Sequence, residues 1–117
     1  MSDAAREEDL FLRIIAGEIP ADVVHSDDLV VAFRDIAPKA DTHVLVVPRE
    51  RYPDVPALAA AAPQTLAHVV AVAKRIADAE CGGEFRLVFN TGASAGQTVF
   101  HVHAHVLGGK GLAFTDL

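Results

Sequence analysis

The sequence predicts an α+β fold, a five-stranded antiparallel sheet with two helices packed against it. Three observations predict it. From Pro63 to about Glu80, apolar residues recur at helical spacing; short β-branched runs follow one another at hairpin spacing between turn residues; and 117 residues suit one core and no second. We therefore expect a single domain over 1–117, with a polar arm at 1–8 and a tail at 111–117.

The first helix is expected from Asp9, its cap, to Ala16. Leu10 and Ile14, and Phe11 and Ile15, stand four apart, Gly17 is a stop signal, and Pro20 prevents continuation. Ala21 to Val24 and Leu29 to Phe33 read as antiparallel strands joined by a turn at His25-Ser26-Asp27-Asp28. His43 to Val47, closed by Pro48, reads as a central strand buried on both faces. Val55 to Ala73 is uncharged, but Pro56, Pro63, Gln64, Thr65 and His68 argue against a membrane span, and the segment reads as a loop entering the main helix. In that helix Leu66, Val69, Val70, Ala73, Ile76 and Ala77 form the apolar set. Gly82-Gly83 closes it, Phe85 to Phe89 is a strand, and Val99 to Leu107 is the last strand.

Composition narrows the function. A net charge of -6 disfavours nucleic acid, whose binding needs clustered cations to release counterions. The one cysteine, Cys81, cannot form an internal disulfide, and Met1 to Asp9 lack the basic start and apolar run of an export signal, so a cytoplasmic protein is expected.

His101, His103 and His105 alternate with Val102, Ala104 and Val106. On a strand this period presents all three imidazoles on one face. Three readings compete. They can be solvated side chains of an amphipathic strand, although neighbouring imidazoles repel once protonated. They can converge on a metal, although no carboxylate lies close to them in the sequence. Or one neutral imidazole attacks phosphorus while its neighbours orient it and bind the phosphoryl oxygens. The glycine-punctuated polar loop from Asn90 to Thr98, which can bring backbone amides to a phosphate, favours the third.

His101-Val102-His103-Ala104-His105-Val106-Leu107 resembles the signature of the histidine-triad (HIT) family, His-φ-His-φ-His-φ-φ with φ apolar. The resemblance runs from Asp9 to about Lys110. It includes Ile14 to Pro20, Ala32 to Ile36, Thr42 to Pro48 and Gly96 to Val99, in the family's order. Leu107-Gly108-Gly109 resembles the Hint branch, the purine nucleoside phosphoramidases, and a third histidine rather than glutamine points to hydrolysis over nucleotidyl transfer. The resemblance thus implies cleavage of the P–N bond of a purine nucleoside 5'-phosphoramidate through a nucleotidyl-histidine. The alternatives are dinucleoside polyphosphate hydrolysis and a nucleotide-binding regulatory module with little turnover.

It further implies that His103 is the nucleophile, that His105 contacts the phosphate and leaving atom, and that His101 orients the nucleophile, with His43 as a supporting fourth histidine. Asp35 would receive the ribose hydroxyls, while Ile36, Phe11 and Ile19 would flank the base. Asn90, Gly96, Gln97 and Thr98 would form the phosphate loop. Purine nucleotide is the implied ligand and a homodimer the implied assembly, with no cofactor, nucleic acid or membrane partner. Cys81, His25 and His68 match no functional position and are assigned to packing or surface.

Three features depart from the family. Asp9-Leu10-Phe11-Leu12 stands where many relatives carry a zinc-binding Cys-x-x-Cys, so no structural zinc is expected. Phe100 replaces a common tyrosine. Gly111 to Leu117 lacks the tryptophan some relatives send toward the partner's site, which bears on the leaving group.

Overall fold

The computed structural model describes residues 10–112. In chain order these form α1 (Leu10–Ile15), β1 (Val23–Ser26), β2 (Val30–Arg34), β3 (Thr42–Pro48), α2 (Val55–Ala61), α3 (Pro63–Glu80), β4 (Arg86–Val88) and β5 (Ala104–Gly108). The five strands make one sheet of order β1-β2-β3-β5-β4, antiparallel throughout. Every residue of β3 is buried, as expected of a β-branched run at the sheet's centre. Among the described residues no helix is long and apolar enough to cross a membrane.

Strand alternation divides the core in two. Val30, Ala32, Val44, Val46, Ala104 and Val106 face α3, against its Val69, Val72, Ala73 and Ile76. Val31, Phe33, Leu45 and Val47 face the other way and pack with Phe11 of α1. Arg34 forks onto the Glu80 carboxylate at the end of α3, at 2.9 and 3.0 Å, and Thr42 Oγ1 donates to it at 3.2 Å. That end of the helix is tied to β2 and β3 where the chain leaves one strand and enters the next. Gly108 is a matter of space, since a Cβ there would meet Cys81 Sγ at 2.5 Å.

Several expectations change. The Asp9 cap lies outside the described residues, as do the 1–8 arm and most of the tail, while Gly17 ends α1 at φ 79°. His25 and Ser26 belong to β1 rather than to the turn. The turn is set by Asp27, whose Oδ1 accepts from the amides of Leu29 and Val30. In α3 the buried set contains Val72, whereas Val70 is 42% exposed.

A third helix, α2, occupies the segment expected to be loop. Pro56 is harmless in its first turn, where amides lack helical partners, and Asp54 Oδ1 caps it by accepting from Ala57 N at 3.0 Å. The last strand begins at Ala104, not Val99. Its ladder with β3 stops at Val46↔Ala104 because Pro48 has no amide to donate and its carbonyl is taken by His101 Nε2, 2.7 Å away. Val102 N turns instead to Tyr52 O at 2.7 Å. His101 and His103 thus precede the regular strand, yet both still lie with His105 on the Phe11 side.

Removing the α2 cap by Asp54→Ala is expected to cost about 1 kcal/mol, read as a lowered urea midpoint with unchanged m-value.

Candidate active site

Phe11 rises from α1 against the imidazoles, with its ring centroid 4.8 Å from that of His103 and 5.9 Å from that of His101. His103 and His105 lie 5.1 Å apart, and His105 and His43 5.2 Å. Leu45 pairs with His105 and His43 with Leu107, so His43 and His105 are diagonal neighbours on one face of the sheet.

The hydrogen bonds assign the protons. A carbonyl only accepts, so His101 donates Nε2–H to Pro48 O, and His103 donates Nδ1–H to His101 O at 2.9 Å. His103 Nε2 therefore carries a free lone pair. Lys39 N donates to His43 Nδ1 at 3.0 Å, which places the His43 proton on Nε2. This proton goes to His105 Nδ1 at 2.9 Å, leaving His105 with an outward Nε2–H. The site thus pairs an imidazole lone pair with a neighbouring imidazole donor, the two parts needed for attack on phosphorus and for binding its oxygens.

Burial keeps these rings neutral. His101 and His103 titrate below the ordinary 6.5, chiefly through desolvation. Burial also lowers His43, only partly offset by Asp35. His105 falls to about 4 through burial and the adjoining His103 and His43. His101 Nδ1 is buried without a partner, so a proton there would have nothing to stabilise it.

A cleft of about 630 Å³ opens beside them. Phe11, Ile19 and Ile36 line its apolar side together with Leu10, Ile14, Phe33 and Leu45, and Asp35, Thr98, His103 and His105 its polar side. Ile36 is fully exposed at 101%, an apolar side chain with no protein cover. A second cavity of about 370 Å³ shares Asp35 and His105 and adds His43 and Asn90. Asp35 is oriented by the Ala37 amide on Oδ1 at 2.8 Å and lies 3.4 Å from His43 Nε2 through Oδ2.

The loop expected to hold phosphate divides its labour. Thr98 reaches the cleft, and Asn90 Nδ2 pins Ala95 O at 2.9 Å. Gly96 takes φ 93°, and Gln97 is buried, donating to Pro53 O and Val99 O and accepting from Gly92 N. Gly96 and Gln97 line neither cavity. Among residues not singled out for the site, Leu10 and Ile14 carried a legible signal in their four-residue spacing, whereas Phe33 and Leu45 required knowing which face of the sheet the triad shares. As for metal, the triad's own nitrogens do not gather around one point. Asp35, His43 and His105 offer ligand atoms within 4.8 Å of one another, the two nitrogens being hydrogen-bonded to each other.

These histidines bind protons more readily unfolded than folded, so their contribution to stability is complete above about pH 6.5 and is lost as pH falls toward 4. Unfolding free energy is expected to drop by on the order of 1–3 kcal/mol between pH 7.5 and 5, and His105→Asn to shrink that drop.

Comparison with known proteins identifies the family. The HIT domain family model matches residues 16–112. The chain is 46% identical over 108 residues to the purine nucleoside phosphoramidase of Escherichia coli (strain K12), covering 91% of each. Its fold superposes on a HIT family hydrolase from Legionella pneumophila with a TM-score of 0.84 at 41% identity, covering 91% of this chain and 96% of that one. A HIT family hydrolase from Clostridium thermocellum gives 0.85 at 35%, covering 92% and 96%. The chain belongs to the HIT family, and it is one of the family's hydrolases.

Proposed function

We propose that the enzyme hydrolyses the P–N bond of purine nucleoside 5'-phosphoramidates through a nucleotidyl-His103 intermediate. The observation that carries this reading is the bond from His103 Nδ1–H to its neighbour's carbonyl, which leaves a neutral Nε2 beside the cleft. The 46% identity to a purine nucleoside phosphoramidase supports the leaving-group class.

In the first half, His103 Nε2 attacks phosphorus and the P–N bond breaks. The departing amine takes a proton from a water molecule. The positive charge left on the His103 ring is met by the His101 carbonyl at Nδ1–H. In the second half, the hydroxide formed from that water attacks phosphorus, the P–Nε2 bond breaks, and the nucleoside monophosphate leaves with His103 restored. His105 Nε2–H donates to a phosphoryl oxygen as charge grows there, and Thr98 adds a hydroxyl near the leaving group. Asp35 accepts the ribose hydroxyls, while Phe11, Ile19 and Ile36 flank the base. Asn90, Gly96 and Gln97 shape the phosphate loop. A cytoplasmic homodimer is the form in which we propose that it works.

The test is release of a fluorescent amine from adenosine 5'-phosphoramidate. Wild type is expected to turn over and to be labelled at His103 in a rapid alkaline quench, with His103→Ala at least about a thousandfold slower. Faster turnover of dinucleoside polyphosphate would instead assign that substrate. Binding of AMP with no turnover of either would make the protein a binding module.

A proton on His103 Nε2 removes the nucleophile, and burial holds its pKa below 6.5. The acid limb of kcat/KM is therefore expected below pH 6.5, with a plateau above it. An acid limb centred above 6.5 would contradict the neutral-imidazole mechanism.

A further inference from the structure

On the face of the sheet opposite the triad, a second histidine cluster is assembled from two elements distant in sequence. His25 of β1 pairs with Ala32 and so faces the α3 side, where His68 projects from the helix. Asp27, at the turn between β1 and β2, lies between them. Its Oδ2 is 2.6 Å from His25 Nε2 and 2.7 Å from His68 Nε2. The three side chains are 23% to 27% exposed, so water can reach them.

Asp27 is held as an oriented ligand would be. Oδ1 is committed to the amides of Leu29 and Val30, at 2.8 and 2.9 Å, which leaves Oδ2 for the imidazoles. Arg49 braces the same turn, donating through Nε to Asp27 O at 2.6 Å and through its guanidinium to Ser26 Oγ at 2.8 Å. Burial would push the Asp27 carboxyl up, but the bonds from His25, His68 and the two amides carry it well below the usual carboxylate range. The oxygen is therefore charged at neutral pH.

We propose that His25, Asp27 and His68 bind a divalent first-row transition metal, Zn2+ above all, as a staple between the β1–β2 turn and helix α3. Two imidazole nitrogens and one carboxylate oxygen are a zinc donor set, with water to complete four-coordination. The ligand atoms already lie within 4.8 Å of one another. Zinc bonds of about 2.0–2.2 Å in tetrahedral array separate ligands by roughly 3.3 Å, so the two N···O pairs need to open by only about 0.6–0.7 Å. This site shares nothing with the N-terminal position where relatives carry cysteines, and it revises the assignment of His25 and His68 to packing or surface.

The test uses chelator-treated full-length protein in equilibrium dialysis against Zn2+ alone. Wild type and His105→Asn are expected to bind one Zn2+ per chain at this site. His25→Gln and His68→Gln are each expected to lose more affinity than the roughly 10–100-fold that removing an outer-shell partner costs. Nitrogen NMR of the wild type gives a readout that needs no variant, since both rings must shift their proton from Nε2 to Nδ1 when Zn2+ takes Nε2. Unchanged affinity in both glutamine variants with loss in His105→Asn would put the metal in the catalytic cluster and overturn the proposal. No binding by the wild type, or binding without the tautomer shift, would overturn it equally and leave a hydrogen-bonded clamp.

Discussion

The ladder between β3 and β5 is the constraint on which the site depends. Five consecutive pairs from Thr42↔Gly108 to Val46↔Ala104 set His43 beside His105 and send Val44, Val46, Ala104 and Val106 to the helix face. A slip of one residue would exchange the two sets, burying imidazoles under α3 and exposing valines in the cleft. The register is thus enforced by the hydrophobic core itself, and the face that carries the triad inherits its order from the opposite one.

Where the ladder ends, backbone carbonyls take over. Pro48 cannot donate, and its free carbonyl fixes His101; His101's carbonyl in turn fixes His103. A chain of main-chain acceptors therefore decides which nitrogen of His103 is bare. On the other side the Lys39 amide acts as a donor, through His43, to decide the orientation of the His105 proton. Burial then keeps the rings neutral, because a charge on any of them would be poorly solvated and would lie near its neighbours.

The sheet also separates two histidine clusters that composition alone would count together. The triad and His43 lie on the Phe11 face, with His103 and His105 lining the cleft and the protons of the rings directed by backbone carbonyls, a backbone amide and one another. His25 and His68 lie on the α3 face and share one ionised oxygen of Asp27. The same side chain is a neutral imidazole with a bare nitrogen in one setting and a partner of a charged carboxylate in the other. The difference comes from what each backbone element brings beside it.

Much of this was legible from residues alone. The alternation of His101 to His105 with small apolar residues pointed to a one-faced array and, with the polar loop before it, favoured phosphoryl chemistry over a solvated face or a metal; the spacing in Pro63–Glu80 determined the main helix. The Pro56 segment misled, because a proline reads as a breaker unless its place in a capped first turn is known. His25 and His68 were unreadable as a pair, lying 43 positions apart on different elements. Local sequence determined which faces were apolar and which carried imidazole, since period and side-chain chemistry are properties of neighbouring residues. Only the tertiary structure decided which nitrogen of each ring holds its proton and which histidines meet, because those depend on carbonyls, amides and carboxylates delivered by chain segments far away.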